Sequence, residues 1–326
     1  MALSKSGKSP DQYTGSISVP PSPKDIFLDN IFRKLTAGFT WLTLLLIIFI
    51  IWKVGGSALP VIKEMGFGFL TGTTWDPNQS EFGILPQIWG TLYSSILALI
   101  LGGFFGITIA IFLTQDFLPH KIHITLKYII EMLAAIPSVV YGLWGIFVLI
   151  PLIRPFANWL HETMGWIPFF STSLNGPGLF PAALVLAIMI LPTVAAISQD
   201  ALSSIPPKIK EAAYGMGTTR WEAILKVLLP TASRGIFGAL VLGFGRALGE
   251  TMALAMLVGN SNQLSLSLFS PADTLAALLA LNFPEASDYE VRVLMYAAVV
   301  LLFITLVVNI IGEAIISLTE RSGGGK

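Results

Sequence analysis

Long apolar runs separated by shorter polar segments form the main pattern of this chain. Six of these runs have the roughly 20 mainly apolar residues that a helix needs to cross a bilayer. They lie near residues 36–58, 86–113, 126–150, 179–199, 232–258 and 293–317. The pattern predicts an all-α integral membrane protein with six transmembrane helices over residues 36–318. A polar tail over residues 1–35 precedes them, and a second tail over residues 319–326 follows.

A pattern of helical period lies between the fourth and fifth apolar runs, over residues 200–230. Pro206 and Pro207 suit the start of a helix, because the first amides of a helix lack intrahelical partners in any case. Gly215 or Gly217 is suited to end that helix, since glycine readily takes the left-handed conformation of a C-terminal cap. The segment therefore predicts a short helix outside the membrane.

A second short helix follows in the same segment. Thr219-Arg220-Trp221-Glu222 has the S/T-x-x-E form of a capping box, and Pro230 is expected to end the helix before the fifth run. Its apolar face comprises Trp221, Ile224, Leu225 and Leu228. The two helices predict a hairpin that either rests on lipid headgroups or fits a groove on a soluble partner.

The composition agrees with a membrane protein and removes several other classes. Hydrophobic residues make up 54% of the chain and charged residues 12%, whereas soluble domains carry about 25% charged residues. The formal net charge is zero, which leaves no basic field to attract a nucleic acid. The chain has no cysteine, which excludes disulfides and thiol chemistry. His120 and His123 lie near a loop without an evident set of carboxylate partners, so no metal site is expected.

The distribution of basic residues predicts the orientation of the spans. Fourteen of the 19 Lys and Arg residues lie in the N-terminal tail, near residues 114–127, in residues 200–234 and at the C terminus. Four, Lys53, Lys63, Arg154 and Arg292, fall toward the opposite side of the membrane, and Arg246 lies within a span. Because Lys and Arg are enriched on the cytoplasmic side, both termini and the hairpin are predicted to be cytoplasmic.

The outward-facing loop over residues 259–291 carries four acidic residues: Asp273, Glu285, Asp288 and Glu290. Two interpretations fit them equally well on the sequence. The loop is either a solvated connection or a docking surface for an external partner.

Two charged residues interrupt the fifth apolar run. Arg246 and Glu250 lie about 18 Å and 24 Å along a helix that begins near Arg234, at about 1.5 Å per residue. An ionised side chain at the centre of a spanning helix costs about 2.5–3.5 kcal/mol. A spacing of four places both on one helix face, where they can pair. Gly245 and Gly249, together with Gly235, Gly238 and Gly243, form a strip of small residues that permits another helix to approach.

The residues alone leave two interpretations of this pair open. It is either a buried ion pair that fixes the register of a helix bundle, or part of a route for an anion. An arginine fork can bind a tetrahedral oxyanion through two charge-assisted hydrogen bonds. Glu250 would then hold the guanidinium while the route is empty. Ser138, at a bend expected at Pro137, and Thr251 are weaker candidates for lining the route.

The hairpin segment resembles the EAA signature of ABC-importer permeases, which reads EAA-x3-G-x9-I-x-LP. This chain has Glu211-Ala212-Ala213, then Gly217, then Leu229-Pro230 at the same spacing, with Val227 in place of the isoleucine. No complete Walker A loop occurs in the chain, which agrees with ATP hydrolysis by a separate subunit.

Two stretches within the spans carry a narrower resemblance. GRALGETMALAMLVGN, residues 245–260, and EMLAAIPSVVYGLWG, residues 131–145, closely resemble the corresponding spans of PstC-type permease subunits of bacterial phosphate ABC importers. Together with the EAA segment, the resemblance covers most of residues 36–318. It implies a type I ABC-importer permease fold and a subunit, not itself an enzyme, that carries inorganic phosphate across the bacterial inner membrane.

The resemblance also implies roles for individual residues and a set of partners. It assigns phosphate translocation to Arg246 and Glu250. It assigns docking on an ATP-binding subunit to Glu211, Ala212, Ala213, Gly217, Leu229 and Pro230. The expected partners are a second homologous permease, two ATP-binding subunits that use ATP and Mg²⁺, an external phosphate-binding protein and membrane lipid. No cofactor in this chain and no nucleic-acid partner are expected.

Two alternative functions fit parts of the pattern. An ABC permease for another oxyanion, such as sulfate or molybdate, would keep the EAA segment and differ in the chemistry of the fifth span. A secondary anion transporter or channel would work without an ATPase, and the cytoplasmic hairpin argues against it.

Overall fold

The computed structural model describes residues 22–115 and 117–323, with side chains described as far as residue 317. In chain order the α-helices are α1 (Pro23–Met65), α2 (Gly68–Thr71), α3 (Leu85–Thr114), α4 (His120–Ala135), α5 (Ser138–Trp144), α6 (Ile150–Met164), α7 (Leu179–Ser203), α8 (Pro207–Gly215), α9 (Arg220–Ala223), α10 (Leu229–Leu248), α11 (Met252–Leu257), α12 (Leu275–Asn282) and α13 (Asp288–Gly323). Strands β1 (Trp75–Asp76) and β2 (Glu81–Phe82) pair antiparallel. Most of the predicted N-terminal tail and the end of the C-terminal tail lie outside the described residues.

Six helical stretches in the described part of the chain are long and apolar enough to cross a membrane. They are Pro23–Met65, Leu85–Thr114, Ser138–Met164, Leu179–Ser203, Arg220–Leu248 and Asp288–Ser317. The predicted all-α class with six spans is confirmed, although the ends of several spans differ from the prediction.

The chain divides into two compact units, residues 1–53 and residues 54–326. In the first unit, α1 begins at Pro23, inside the tail predicted over residues 1–35. The Ser22 hydroxyl accepts a hydrogen bond from the Asp25 amide at 3.2 Å, and the Asp25 carboxylate accepts one from the Ser22 amide at 3.1 Å. This reciprocal cap, with proline in the first helical position, starts the helix ahead of its apolar part.

In the second unit, α3 packs closely against α7. A Cβ added at Gly102 would lie 2.7 Å from the Ala187 carbonyl oxygen, and one at Gly106 would lie 2.9 Å from the Val194 side chain. Small residues of this kind let two spanning helices approach until their backbones are nearly in contact. Side chains from α5, α11 and α12 complete the core around α7, among them Tyr141, Leu254 and Ala277.

The third span is interrupted, where the sequence predicted one helix over residues 126–150 with a bend. Helix α4 stops and α5 begins on either side of Ile136 and Pro137. Proline disfavours the helical conformation of the residue before it, and Ile136 is extended with ψ at 127°. The apolar span therefore runs over Ser138–Met164, past the end of the run predicted over residues 126–150.

The fifth span differs from the predicted residues 232–258 at both ends. Its helix starts at Arg220, continues through Pro230 and stops at Leu248, before α11 resumes after a short break. Pro230 was expected to end the hairpin helix. Instead, a π turn over Ile224–Leu228 precedes the proline, and this wider turn relieves the clash between the proline ring and the carbonyl four residues earlier.

Helix α8 and the start of the fifth-span helix, α9, form the predicted helix–turn–helix, but the second predicted helix is not separate from the span. Gly217 follows α8 with φ at +80°, and the amide and hydroxyl of Thr218 both donate to the Ala213 carbonyl. The capping box is confirmed: the Glu222 amide donates to the Thr219 hydroxyl at 3.3 Å, and the Thr219 amide donates to the Glu222 carboxylate at 3.0 Å.

The hairpin packs onto the ends of three spans. A buried cluster joins α3, the end of α7, the π turn and α10 through Ala110, Leu202, Ile205, Ile224, Leu228, Ala232 and Ile236. Of the predicted apolar face, Ile224 and Leu228 are buried in this cluster, whereas Trp221 and Leu225 are exposed. Half of that face is thus used inside the chain and half points outward.

Candidate anion site and coupling hairpin

Arg246 lies in the last turn of α10, in a position fixed by packing against α7. A Cβ added at Gly243 would lie 2.9 Å from the Val194 side chain, so the two helices are in close contact one turn before the arginine. Ala247, the next residue, is fully buried in the core. Arg246 itself is exposed in the single chain. The packing therefore fixes where the guanidinium emerges from the bundle.

The guanidinium is held by a hydroxyl and does not pair with Glu250. Its Nη1 donates to Thr193 Oγ1 of α7 at 3.2 Å. The described ion pairs are Lys127 with Glu131 and Lys226 with Glu222. The expected Arg246–Glu250 pair is absent because α10 ends at Leu248, so the spacing of four no longer places both side chains on one helix face.

Glu250 and Thr251 lie in the break between α10 and α11. The Glu250 side chain is half-buried, and its amide donates to the Ala247 carbonyl at 3.4 Å. The Thr251 hydroxyl donates to the Gly249 carbonyl at 3.2 Å, so its described bond goes to the backbone and not to Arg246. Both residues therefore stay at the break, close in sequence to the arginine but on a non-helical segment.

Helix α5 carries the predicted residue Ser138 and, one turn later, Tyr141. A Cβ added at Gly142 would lie 2.7 Å from the Met256 sulfur, so α5 packs directly against α11. The Tyr141 hydroxyl donates to the Leu133 carbonyl at 2.8 Å, and Arg246 is near enough for its charge to act on that hydroxyl. Ser138 is half-buried at the start of α5. The structure thus gathers α5, α7, α10 and α11 around Arg246.

The glycines of the α10 strip lie against different neighbours along the helix. Gly235 faces Ala201 and Gly243 faces Val194, both on α7, whereas Gly245 lies beside Asn309 of α13. Gly238 has open space where a side chain would be, and Gly249 lies near its own chain only. Close helix contact is therefore confirmed for Gly235 and Gly243, the glycines that face α7.

The predicted coupling residues lie on the hairpin with unequal exposure. Glu211, Ala212 and Gly217 are exposed, while Ala213 is buried against the rest of the chain. Of the pair at the end of the signature, Leu229 is half-buried and Pro230 is exposed in the first turn of α10. Glu211, Ala212 and the turn at Gly217 are therefore part of the exposed surface of the hairpin.

The loop between α11 and α12 contains a carboxyl group whose burial the sequence did not indicate. Asp273 is 5% exposed. Gln87 Nε2 donates to its Oδ2 at 3.1 Å, and the Thr274 amide donates to its Oδ1 at 2.8 Å. Burial raises the pKa of Asp273 from 3.8 to about 6, although these two hydrogen bonds act in the opposite direction. For Asp273, neither a solvated connection nor an external docking surface fits, since the carboxyl lies inside the protein.

The loop that leads to Asp273 is attached along α3. Trp89 Nε1 donates to the Ser265 carbonyl at 3.0 Å, and the Tyr93 hydroxyl donates to the Leu266 carbonyl at 2.9 Å. The Leu275 amide donates to Thr91 Oγ1 at 2.9 Å. This loop, residues 258–274, thus covers one end of the bundle against the first turns of α3.

Sequence reasoning missed Thr193, and it named Asp273 only as one of four acidic residues of a loop, without its burial or its partners. A faint signal existed for each. Thr193 is a polar residue directly after a proline in the middle of an apolar run, and Asp273 stands in an otherwise small and apolar stretch before a helix cap. Neither signal indicates the partner, because that partner lies on another helix.

Comparison with known proteins identifies the family. A family model described as "Binding-protein-dependent transport system inner membrane component" matches residues 106–322. The chain belongs to this family. The permease is 40% identical over 303 residues to the "Phosphate transport system permease protein PstC" of Haemophilus influenzae, covering 91% of this chain and 96% of the relative. It is also 40% identical over 304 residues to the protein of the same description from Pasteurella multocida, covering 92% and 95%.

A solved structure supports the fold of the permease. A structure titled "Inward facing conformations of the MetNI methionine ABC transporter" matches with a TM-score of 0.55 at 19% identity, covering 76% of this chain and 99% of that one. The predicted ABC-importer permease fold and the resemblance to PstC-type subunits are therefore confirmed. The roles of individual residues stay predictions.

Proposed function

We propose that this permease is the membrane-spanning subunit of an ATP-driven importer that carries inorganic phosphate across the bacterial inner membrane. The observation that carries the proposal is the exposed Arg246 guanidinium on the fifth span, whose hydrogen-bond partner is a neutral hydroxyl. A cation held in this way keeps its charge for an anion. The two relatives described as phosphate transport permeases support phosphate as that anion.

In this proposal Arg246 binds the anion and the neighbouring groups limit how tightly it is held. A guanidinium has five N–H donors in a fixed fork, so one bond to Thr193 leaves most of the fork for phosphate oxygens. Glu250, half-buried in the adjacent break, adds a negative charge that weakens binding and favours release. Ser138 and Thr251 line the route on α5 and at the break.

The permease works as part of a larger assembly. A second homologous permease completes the route, and an external phosphate-binding protein delivers phosphate to the outward loops. Two ATP-binding subunits hold ATP and Mg²⁺ and perform hydrolysis, so this chain has no enzymatic step and no cofactor of its own. Both termini and the hairpin face the cytoplasm, in agreement with the excess of basic residues in those segments.

The hairpin transmits the work of the ATP-binding subunits. Glu211, Ala212 and the Gly217 turn form its exposed surface, which docks on one ATP-binding subunit. Because the other side of the hairpin is buried against α3, α7 and α10, a displacement of the hairpin moves these spans together. This motion alternates the access of the Arg246 site between the two sides of the membrane.

The decisive experiment replaces the guanidinium. In the complete complex reconstituted into liposomes, Arg246→Gln is expected to abolish ATP-dependent phosphate uptake while the complex still assembles. Arg154→Gln is the matched control. The Arg154 guanidinium donates to the Asn175 carbonyl at 2.9 Å, and both residues are far in sequence from the fifth span. Normal uptake by Arg246→Gln would refute the proposed site.

The same preparation separates the two alternative functions. Loss of phosphate uptake in excess sulfate or molybdate would identify a permease for another oxyanion. Uptake that continues without ATP would identify a secondary transporter or channel. The proposal expects uptake that depends on ATP and withstands both competitors.

A further inference from the structure

Thr193 occupies a distinctive place in α7. It follows Pro192, a buried proline inside the helix that has no amide to donate to the backbone. The next residue, Val194, packs against both Gly106 of α3 and Gly243 of α10. Thr193 is half-buried beside these contacts. Its hydroxyl is therefore held at a fixed point facing the last turn of α10.

The Thr193 hydroxyl differs from other helical threonines in this chain. Thr108 and Thr114 donate to the carbonyl four residues earlier, at 2.7 Å and 2.8 Å, as a threonine in a helix commonly does. In the part of the chain that the structure describes, Thr193 accepts from Arg246 at 3.2 Å and makes no such backbone bond. Its own proton is thus still available to a hydrogen-bond acceptor placed beside Arg246.

We propose that Thr193 is a second anion-binding residue of the transport route, an inference that rests on the proposed function. Its oxygen accepts from Nη1 and fixes the direction of the guanidinium fork. Its proton donates to one oxygen of the phosphate bound at that fork. Arg246 and Thr193 together thereby offer a charged donor and a neutral donor to the same anion.

The neutrality of this partner matters for the transport of a multiply charged anion. A carboxylate at position 193 would orient the guanidinium equally well, but it would cancel the charge and repel the phosphate. A hydroxyl orients Arg246 and leaves its full positive charge for the substrate. The arrangement thus serves both orientation and attraction.

The test compares two substitutions that treat the hydroxyl oppositely, in the complete reconstituted complex supplied with saturating phosphate-loaded binding protein. Thr193→Val keeps the shape and removes the hydroxyl, whereas Thr193→Ser keeps the hydroxyl. We expect Thr193→Val to lower phosphate moved per ATP hydrolysed about tenfold, the size of effect typical for one hydrogen bond to a charged group. Thr193→Ser is expected to stay within about twofold of the unchanged protein.

The ratio of phosphate to ATP separates a binding role from a structural one. Equal defects in Thr193→Val and Thr193→Ser would overturn the inference, since a variant that keeps the hydroxyl would then be as impaired as one that lacks it. An unchanged ratio in Thr193→Val would overturn it as well. If Arg246→Gln is inactive while Thr193→Val is normal, only this inference fails. If Arg246→Gln transports normally, the proposed anion site itself fails.

Discussion

Two charged side chains of this permease are held by neutral groups. Arg246 donates to the Thr193 hydroxyl, and Asp273 accepts from the Gln87 side-chain amide and the Thr274 backbone amide. A neutral partner fixes the position of a charge without cancelling it. Each group therefore stays responsive to its surroundings, Arg246 to an anion and Asp273 to a proton.

The raised pKa of Asp273 predicts that attachment of the loop over residues 258–274 depends on pH. Burial places the pKa at about 6 in the attached state, against 3.8 for an exposed carboxyl. The attached state therefore favours the protonated form, so this stabilisation is full below about pH 3.8 and is lost as the pH rises from there through about 6. Ionised Asp273 costs the attached state up to about 3 kcal/mol, since one pKa unit is worth about 1.4 kcal/mol.

Hydrogen exchange of the loop amides in the purified complex measures this effect. After correction for intrinsic exchange rates, the loop should be better protected at pH 5 than at pH 7.5. Asp273→Asn, which cannot ionise, should show similar protection at both values. A loop equally protected at both pH values in the unchanged protein would contradict the prediction.

Partners of this kind are beyond prediction from local sequence. Arg246 and Thr193 are 53 residues apart, and Gln87 and Asp273 are 186 residues apart. Their meeting depends on how α3, α7 and α10 pack, which local periodicity does not specify. The residue type of Arg246 was informative because a charge in a span is costly. The identity of its hydrogen-bond partner was not.

At the scale of helices, the sequence predicted which spanning helices exist more accurately than it predicted where each helix begins and ends. Apolar length was enough to find six spans, and the capping box at Thr219 and Glu222 placed the start of α9 correctly. The breaks were harder, because Pro137 separates α4 from α5 whereas Pro230 is accommodated by a π turn. The same residue type thus ends one helix and not another, according to the turn that precedes it.

The turn at Gly217 gives a prediction at this scale. With φ at +80°, a residue with a Cβ costs about 1–2 kcal/mol there, and a β-branched residue fits worst. Gly217→Val should therefore distort the hairpin and weaken its association with the ATP-binding subunit. Co-purification of that subunit from detergent extracts measures the loss.

Gly215→Val is the matched control for this experiment. Gly215 lies in the same turn, also has open space where a side chain would be, and keeps an ordinary backbone conformation. It should retain the ATP-binding subunit. Equal recovery from both variants would show that the left-handed turn does not control docking.

At the scale of the whole molecule, the hairpin is tied to the connection between α3 and α4. The Phe117 and Trp221 rings stack with centroids 5.2 Å apart and planes 23° apart. Lys210 Nζ reaches the Thr114 carbonyl at 3.5 Å. These contacts link the buried cluster under the hairpin to the connection between α3 and α4. A hairpin displacement is therefore passed to α4 as well as to the three spans beneath it.

Removal of the stacked ring is expected to separate ATP hydrolysis from transport. Trp221→Ala should lower phosphate uptake several-fold in the reconstituted complex while ATP hydrolysis continues, since stacking contributes about 0.5–1.5 kcal/mol beyond buried area. Leu225→Ala is the control, because Leu225 is 59% exposed on the same helical segment, comparable to Trp221 at 51%. Equal uptake by the two variants would argue against the ring contact as a mechanical link.

The interruption between α10 and α11 affects how the membrane must be arranged around this chain. The first amides of α11 have no side-chain cap and, as in every helix, no intrahelical acceptors. Such groups are not tolerated against hydrocarbon and need protein or water beside them. In the assembled transporter this break must therefore face protein or a water-filled space, and it sets one side of the bundle that lipid tails cannot cover.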